Sequence, residues 1–183
     1  MYFDKKEYKW IMKIILENGY SVKPINNDNH SEIKQLYDLC SDYHIMASGR
    51  IATDENVDDI FKYNEKKTIE DSLTLGIYNN DEILVGIVDI FKNYPDVGTW
   101  MIGLLLISPN ERNKKLGRAV HEEIERYAVS QGINILRIGV LKENTKGRRF
   151  WDSLRYQYVK TIKMEIENKN HNVDILIKLI MEQ

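Results

Sequence analysis

Arg112, Lys114, Lys115 and Arg118 crowd around Gly117 in the stretch SPNERNKKLGRAV, which runs from Ser108 to Val120. An apolar run, IGLLLI from Ile102 to Ile107, precedes it, and a segment of helical periodicity follows. A helix start already carries partial positive charge, so cations gathered there are unfavourable unless an anion docks. An apolar strand, a turn of main-chain donors and a helix N-terminus together make a phosphate cradle; a solvated basic turn is the competing reading. The chain has no G-x-x-x-x-G-K-[ST] and no G-x-G-x-x-G, which excludes the nucleotide-triphosphate loop and the dinucleotide fingerprint. A second basic group (Lys142, Lys146, Arg148 and Arg149) opens a later helix.

Acid–base candidates are few. Asp89 is the one acidic residue inside the apolar run ILVGIVDIF, and neighbours Ile87, Val88, Ile90 and Phe91 disfavour its charged form, which suits a base. A bulge carboxylate bonded to backbone is the competing reading. His44, expected in a loop after the first helix, is an alternative base or a surface histidine. The pair His121-Glu122 begins like H-E-x-x-H, but position 125 is Glu, so the zinc pair fails and a solvated helix face is expected. Cys40 is the only cysteine; no intrachain disulfide is possible, and a buried structural thiol is expected.

The elements that must position these groups follow from periodicity. At 183 residues, 43% hydrophobic and 30% charged, the chain reads as one soluble domain, and a formal net charge of −2 gives no case for nucleic acid. Asp4 and Glu7 exclude a signal peptide, and no run approaches a membrane span, so a cytoplasmic protein is expected. Residues 1–19 read as an amphipathic helical extension and residues 20–183 as a single domain. A first strand at Tyr20–Pro24 leads to a helix over Asn29–Asp42, with Ile33, Leu36, Tyr37 and Cys40 on one face, and a second helical piece over Asp54–Asn64. Strands at Leu73–Tyr78, Ile83–Phe91 and Thr99–Ile107 come next, with Asn79-Asn80-Asp81 marking a hairpin. A helix over Lys115–Gln131, a strand over Ile133–Val140, a helix over Asn144–Leu154 and strands at Tyr156–Glu167 and Val173–Ile180 complete the chain. The order β-α-α-β-β-β-α-β-α-β-β predicts an α/β fold with a mixed sheet flanked by helices.

The basic turn resembles the phosphate-binding segment of the GCN5-related N-acetyltransferases, the GNAT superfamily, whose pattern is Q/R-x-x-G-x-G/A. Arg112 matches its first position and Gly117 its last, while Lys115 replaces the middle glycine. Asn144, Gly147, Phe150, Trp151, Leu154 and Tyr156 fall on the family's N-x-x-A-x-x-F-Y-x-x-x-G-F pattern, and the element order agrees from Tyr20 onward. The resemblance implies acetyl-CoA as cosubstrate, with no metal, and direct attack by an amine of a small molecule or peptide. It implies coenzyme A contacts from Leu105, Leu106 and Ile107, with an N–H near Leu106 facing the thioester oxygen. Arg112, Asn113, Lys114, Lys115, Leu116, Gly117 and Arg118 would hold the pyrophosphate, and Asn144, Arg149, Phe150 and Trp151 would contribute from the next helix. Lys115 loses the close approach of a glycine if its φ is positive; in a right-handed turn lysine fits and adds charge.

The family's usual proton donor to the departing thiolate is a tyrosine where this chain has Trp151. An indole cannot transfer a proton near neutral pH, so Tyr156 or water takes over, or the thiolate leaves unprotonated. Asp89, Trp151 and Tyr156 are the catalytic candidates, with Trp151 read mainly as packing. The alternative to an enzyme is a GNAT-fold module that holds coenzyme A with weak turnover. No membrane partner is expected, and monomer and homodimer both stay open.

Overall fold

The computed structural model describes residues 13–16, 18–62 and 71–180. Eight strands form one sheet in the order β1-β2-β3-β4-β5-β6-β8-β7, and only the β5–β6 pair is parallel. The strands are β1 (Ile14–Ile15), β2 (Ser21–Pro24), β3 (Ser72–Tyr78), β4 (Leu84–Phe91), β5 (Thr99–Ile107), β6 (Ile135–Leu141), β7 (Gln157–Ile166) and β8 (Lys169–Leu179). Helices α1 (His30–Leu39), α2 (Ser41–Ser48) and α3 (Asp54–Asp59) follow β2; α4 (Leu116–Ser130) follows β5, and α5 (Thr145–Ser153) follows β6.

The expected mixed sheet and its element order hold, with two differences. Most of the helix expected over residues 1–19 lies outside the described residues, but at its end Ile14–Ile15 pair with Val22 and Ser21 as an edge strand. The stretch around His44, read as a loop, is helix α2. Its apolar residues lack a clean helical stripe, so periodicity gave no signal there.

Two cores sandwich the sheet. On one face, Leu116, Val120, Ile124 and Ala128 recur every fourth residue along α4 and pack with Trp151 of α5 and Leu154 just after it against Val88, Ile90, Trp100, Ile102, Leu136 and Ile138. On the other, Ile33, Leu36 and Tyr37 of α1 and Val57 and Ile60 of α3 cover Ile87 and Leu106. Burying each such aliphatic side chain contributes roughly 1.5–3 kcal/mol. β4 is buried on both faces, which explains its uninterrupted apolar sequence.

One irregularity shapes the rest. Asp89 pairs with Leu104 but Ile90 pairs with Ile102, so Gly103 is an extra residue, a β-bulge in β5. Before the bulge Trp100 and Ile102 face the α4 side; after it Leu105 and Ile107 do, and Leu104 and Leu106 face α1. A β-carbon at Gly103 would sit 2.4 Å from Cε2 of Phe91, so the bulge accommodates glycine. Beyond it the parallel strands part: β5 and β6 pair only from Thr99↔Ile135 to Ile102↔Ile138.

Candidate active site

The parting of β5 and β6 leaves a wedge-shaped gap in the middle of the sheet, with Gly103 on one lip and Gly139 on the other, both exposed. The N–H of Ser108 donates to the Val85 carbonyl at 2.8 Å. Strand alternation then turns the main chains of Leu104 and Leu106 toward β4, and those of Leu105 and Ile107 toward the gap. The N–H groups facing the gap are therefore those of Leu105 and Ile107, within the stretch around Leu106 that was expected to face it, while the N–H of Leu106 itself turns to β4.

At the end of this lip the chain passes through a short 3₁₀ turn (Pro109–Glu111) into α4. Lys115, the residue before α4, has φ +62°, and Asn113 has φ +63°, both in the left-handed region. The family's glycine position is thus a glycine conformation held by lysine, and the right-handed alternative is excluded. No side chain caps α4, so the N–H groups of its first turn, from Leu116 onward, stay open to an anion. Gly117 lies inside this turn, where a β-carbon would meet Cδ1 of Ile107 at 3.2 Å and Phe150 at 3.3 Å. Its function is to let α4 approach β5 and α5 closely.

The four cations do not all face outward. Arg112 donates through Nε to the Ile107 carbonyl at 2.8 Å and through Nη1 and Nη2 to the Asp42 carboxylate at 2.5 and 3.0 Å. Its guanidinium is engaged, and Asp42 is held below the usual carboxylate range chiefly by that hydrogen bonding. Lys114 pairs with Glu111 at 2.9 Å, and Arg118 donates to the Ser153 carbonyl and hydroxyl at 3.2 and 3.1 Å, tying α4 to α5. Lys115 is exposed and has no ion-pair partner among the described residues. In the second cluster Arg148 bonds Asp152 and Asp174, whereas Lys142, Lys146 and Arg149 are less engaged and lie at the surface. Asn144 caps α5, accepting from the N–H of Gly147 at 2.8 Å.

Trp151 and Tyr156 lie in the core. The Trp151 indole stacks edge-on against Phe150 (4.9 Å) and Tyr156 (5.2 Å). The Tyr156 hydroxyl is 2.9 Å from Nε2 of His121, a fully buried histidine rather than part of a solvated face. Burial lowers the pKa of His121 to about 3, so the ring is neutral, and burial raises that of Tyr156 well above its ordinary value. A phenol so held is a poor acid toward a thiolate. Cys40 is buried with its thiol pushed up to about 11, first by burial, and is inert, as expected.

Asp89 opens on the other side of β5. It is 5% exposed and accepts from Oγ1 of Thr74 at 2.9 Å. It lines a cleft of about 740 Å³ with Tyr37, Asp59, Tyr94, Gly103 and Leu104. Gly103 borders both cleft and gap, so the two meet at the bulge. His44 is half-buried on α2 against Tyr37 at 4.6 Å and Tyr43 at 5.5 Å. Its Nε2 is buried without a hydrogen-bond partner among the described residues, and burial keeps the ring neutral by lowering its pKa.

Comparison with known proteins agrees with this geometry. Among curated proteins, none matches the chain closely enough in sequence to count as a relative. Among solved structures, an acetyltransferase from Thermus thermophilus superposes with a TM-score of 0.74 at 19% identity, covering 92% of this chain and 100% of that one. The spermidine N-acetyltransferase of Vibrio cholerae, solved with CoA and spermine, gives 0.67 at 13% identity, covering 87% and 95%. The ribosomal-protein-S18-alanine N-acetyltransferase of Escherichia coli gives 0.65 at 11% identity, covering 90% and 96%. These likenesses concern the fold. The sequence itself matches the Acetyltransferase (GNAT) family over residues 33–155, a span that holds the bulge, the gap and the basic turn, and the chain belongs to that family.

Proposed function

We propose that the protein transfers an acetyl group from acetyl-CoA directly to a primary amine carried on an apolar body. One observation carries the reading: the β5–β6 gap meets, at Gly103, a cleft that contains a buried carboxylate. The open first turn of α4 and the unpaired main chain of β5 fit a pyrophosphate-bearing thioester, which would supply the activated acetyl group. Leu116, Gly117 and Arg118 would bind the pyrophosphate through main-chain N–H groups, with Lys115 adding charge. The main-chain N–H of Leu105 or Ile107 would face the thioester carbonyl and stabilise the negative charge that grows on its oxygen.

Asp89 is the base in this reading. It would accept the ammonium proton directly or through one water; the cleft's other carboxylate, Asp59, is paired with Lys62 at 2.6 Å. The apolar walls, Ile60, Phe91, Met101 and Leu104, fit an amine on an apolar body, and Lys62 at the cleft is already paired with Asp59, which leaves it little draw for a substrate carboxylate. With Trp151 and Tyr156 in the core, the thiolate would leave to solvent without a protein acid. The alternative of a weak coenzyme A-binding module is not favoured, since the chain matches an acetyltransferase family and two of the named neighbours are N-acetyltransferases.

Thiol release from acetyl-CoA across a panel of polyamines, arylalkylamines, amino acids and peptides tests the proposal. Arylalkylamines should turn over and free amino acids should not; no release with any amine would overturn it. Trp151→Phe should keep turnover within about threefold, because ring packing survives, and should lower the melting temperature. A loss on the order of 100-fold, the scale of removing a general acid, would make the indole catalytic. Lys115→Gly should raise the melting temperature by relieving about 1 kcal/mol of left-handed strain. The same variant should weaken acetyl-CoA about three- to fivefold, the worth of one exposed charge. A melting curve beside a binding isotherm reads both.

A further inference from the structure

We propose that α2 is a strap across the β5–β6 gap, latched to the β5 lip by the Asp42–Arg112 pair and held on the β6 side by Lys169 and His171 of the adjoining β8 and by Ala47 packed on Leu141, and that it positions the lips for the thioester arm. The inference rests on the acetyl-CoA reading above. Arg112, at the position where the resemblance places a phosphate ligand, is on this view a positioning residue.

The two ends of α2 lie on opposite sides of the gap. At its start, Asp42 takes both Arg112 nitrogens, and Nε of the same guanidinium holds the Ile107 carbonyl at the end of β5. Cys40, just before the helix, also reaches that carbonyl at 3.6 Å. At its finish, the main-chain carbonyls of Met46 and Ala47 bond Nζ of Lys169 (2.6 Å) and Nε2 of His171 (2.7 Å) on β8. Ala47 packs there with Leu141, the last residue of β6, and with Val173 and Ile175. Just beyond α2, Glu167 of the β7–β8 turn pairs with Arg50 at 2.6 Å and accepts from Asn56 at 2.5 Å.

The mechanical argument is short. Past Ile102↔Ile138 no strand pairing joins β5 to β6. On the α1 face, α2 is bonded at its start to the β5 lip through Arg112 and at its finish to β8, the strand paired with β6, while Ala47 packs on Leu141 of β6 itself. The Ile107 carbonyl, fixed by Arg112 and Cys40, belongs to the lip segment whose main chain faces the gap. Releasing the latch would loosen the main chain that must meet the thioester.

The latch and the phosphate readings of Arg112 predict opposite signs for Asp42→Ala. If Arg112 binds phosphate, removing its competing carboxylate frees it, and acetyl-CoA binds more tightly. If Arg112 is a latch, acetyl-CoA binds about tenfold more weakly, as expected for misplaced contacts. Arg112→Lys, which keeps the charge but loses the fork, should show the same defect, and the double variant should be no worse than either single. Amide hydrogen exchange supplies a ligand-free reading: both variants should exchange faster in α2, with α4 unchanged. Lys169→Met, at the far end, should reproduce the α2 signature and serves where Asp42→Ala does not fold. Unchanged α2 exchange, or tighter acetyl-CoA binding in Asp42→Ala, overturns the strap. A wild-type protein that binds no acetyl-CoA overturns the proposed function instead, and the exchange data still judge the strap.

Discussion

Asp89→Asn should lower kcat/KM at neutral pH by about 100-fold, the low end for loss of a general base, and should approach wild-type rates near pH 10. An alkylamine has its ordinary pKa near 10, so at neutral pH nearly all of it is ammonium, and something must take its proton before attack. In the proposed reaction that task would fall to Asp89, which is in register with Leu104 beside the bulge and lines the cleft. Asparagine keeps the shape and can still accept from Thr74, which donates at 2.9 Å, but it cannot take a proton. As pH rises the free amine becomes abundant and the missing acceptor matters less, so the defect should shrink with alkalinity. If Asp89 serves only to accept from its neighbours, the variant should lose melting temperature and keep the wild-type pH profile. A pH–rate profile beside a melting curve separates the two outcomes.

Gly117→Glu should weaken acetyl-CoA binding by about 100-fold, equivalent to roughly 2.7 kcal/mol. The position lies in the first turn of α4, where its β-carbon would point at Ile107 and Phe150 with contacts of 3.2 and 3.3 Å. Those contacts are tight, so some stability is lost. A carboxylate at a helix N-terminus is locally favourable and offsets part of that loss. The same carboxylate repels a pyrophosphate at the turn. Gly117→Ala separates bulk from charge: it keeps the steric contact without the carboxylate and should bind within about tenfold of wild type. Calorimetric affinity equal to wild type in Gly117→Glu, with a native melting curve, would remove the phosphate site from this turn.

The element order was readable because each long segment carries its own period. The fourfold recurrence of Leu116, Val120, Ile124 and Ala128 dictates α4 whatever surrounds it, and the apolar runs of β4 and β5 dictate central strands. Gly117 and Asn144 stood out as motif positions, but that Gly117 lets α4 approach Ile107 and Phe150, and that Asn144 caps α5, came from the structure. What sequence did not show depends on partners far along the chain. Arg112 is engaged by Asp42, seventy residues away, a contact no local pattern announces. His121 looks solvated until α4 turns it inward onto Tyr156, thirty-five residues on. Helix α2 lacks a hydrophobic stripe and is set by what grips its two ends. The gap itself comes from one extra residue at Gly103, which re-phases β5 and ends its pairing with β6. Sequence alone determined the family and the layers, because local periodicity and motif spacing are properties of neighbouring residues. Only the tertiary structure decided which charges face the gap, because an ion pair is a property of distance in space, and the chain does not write that distance in order.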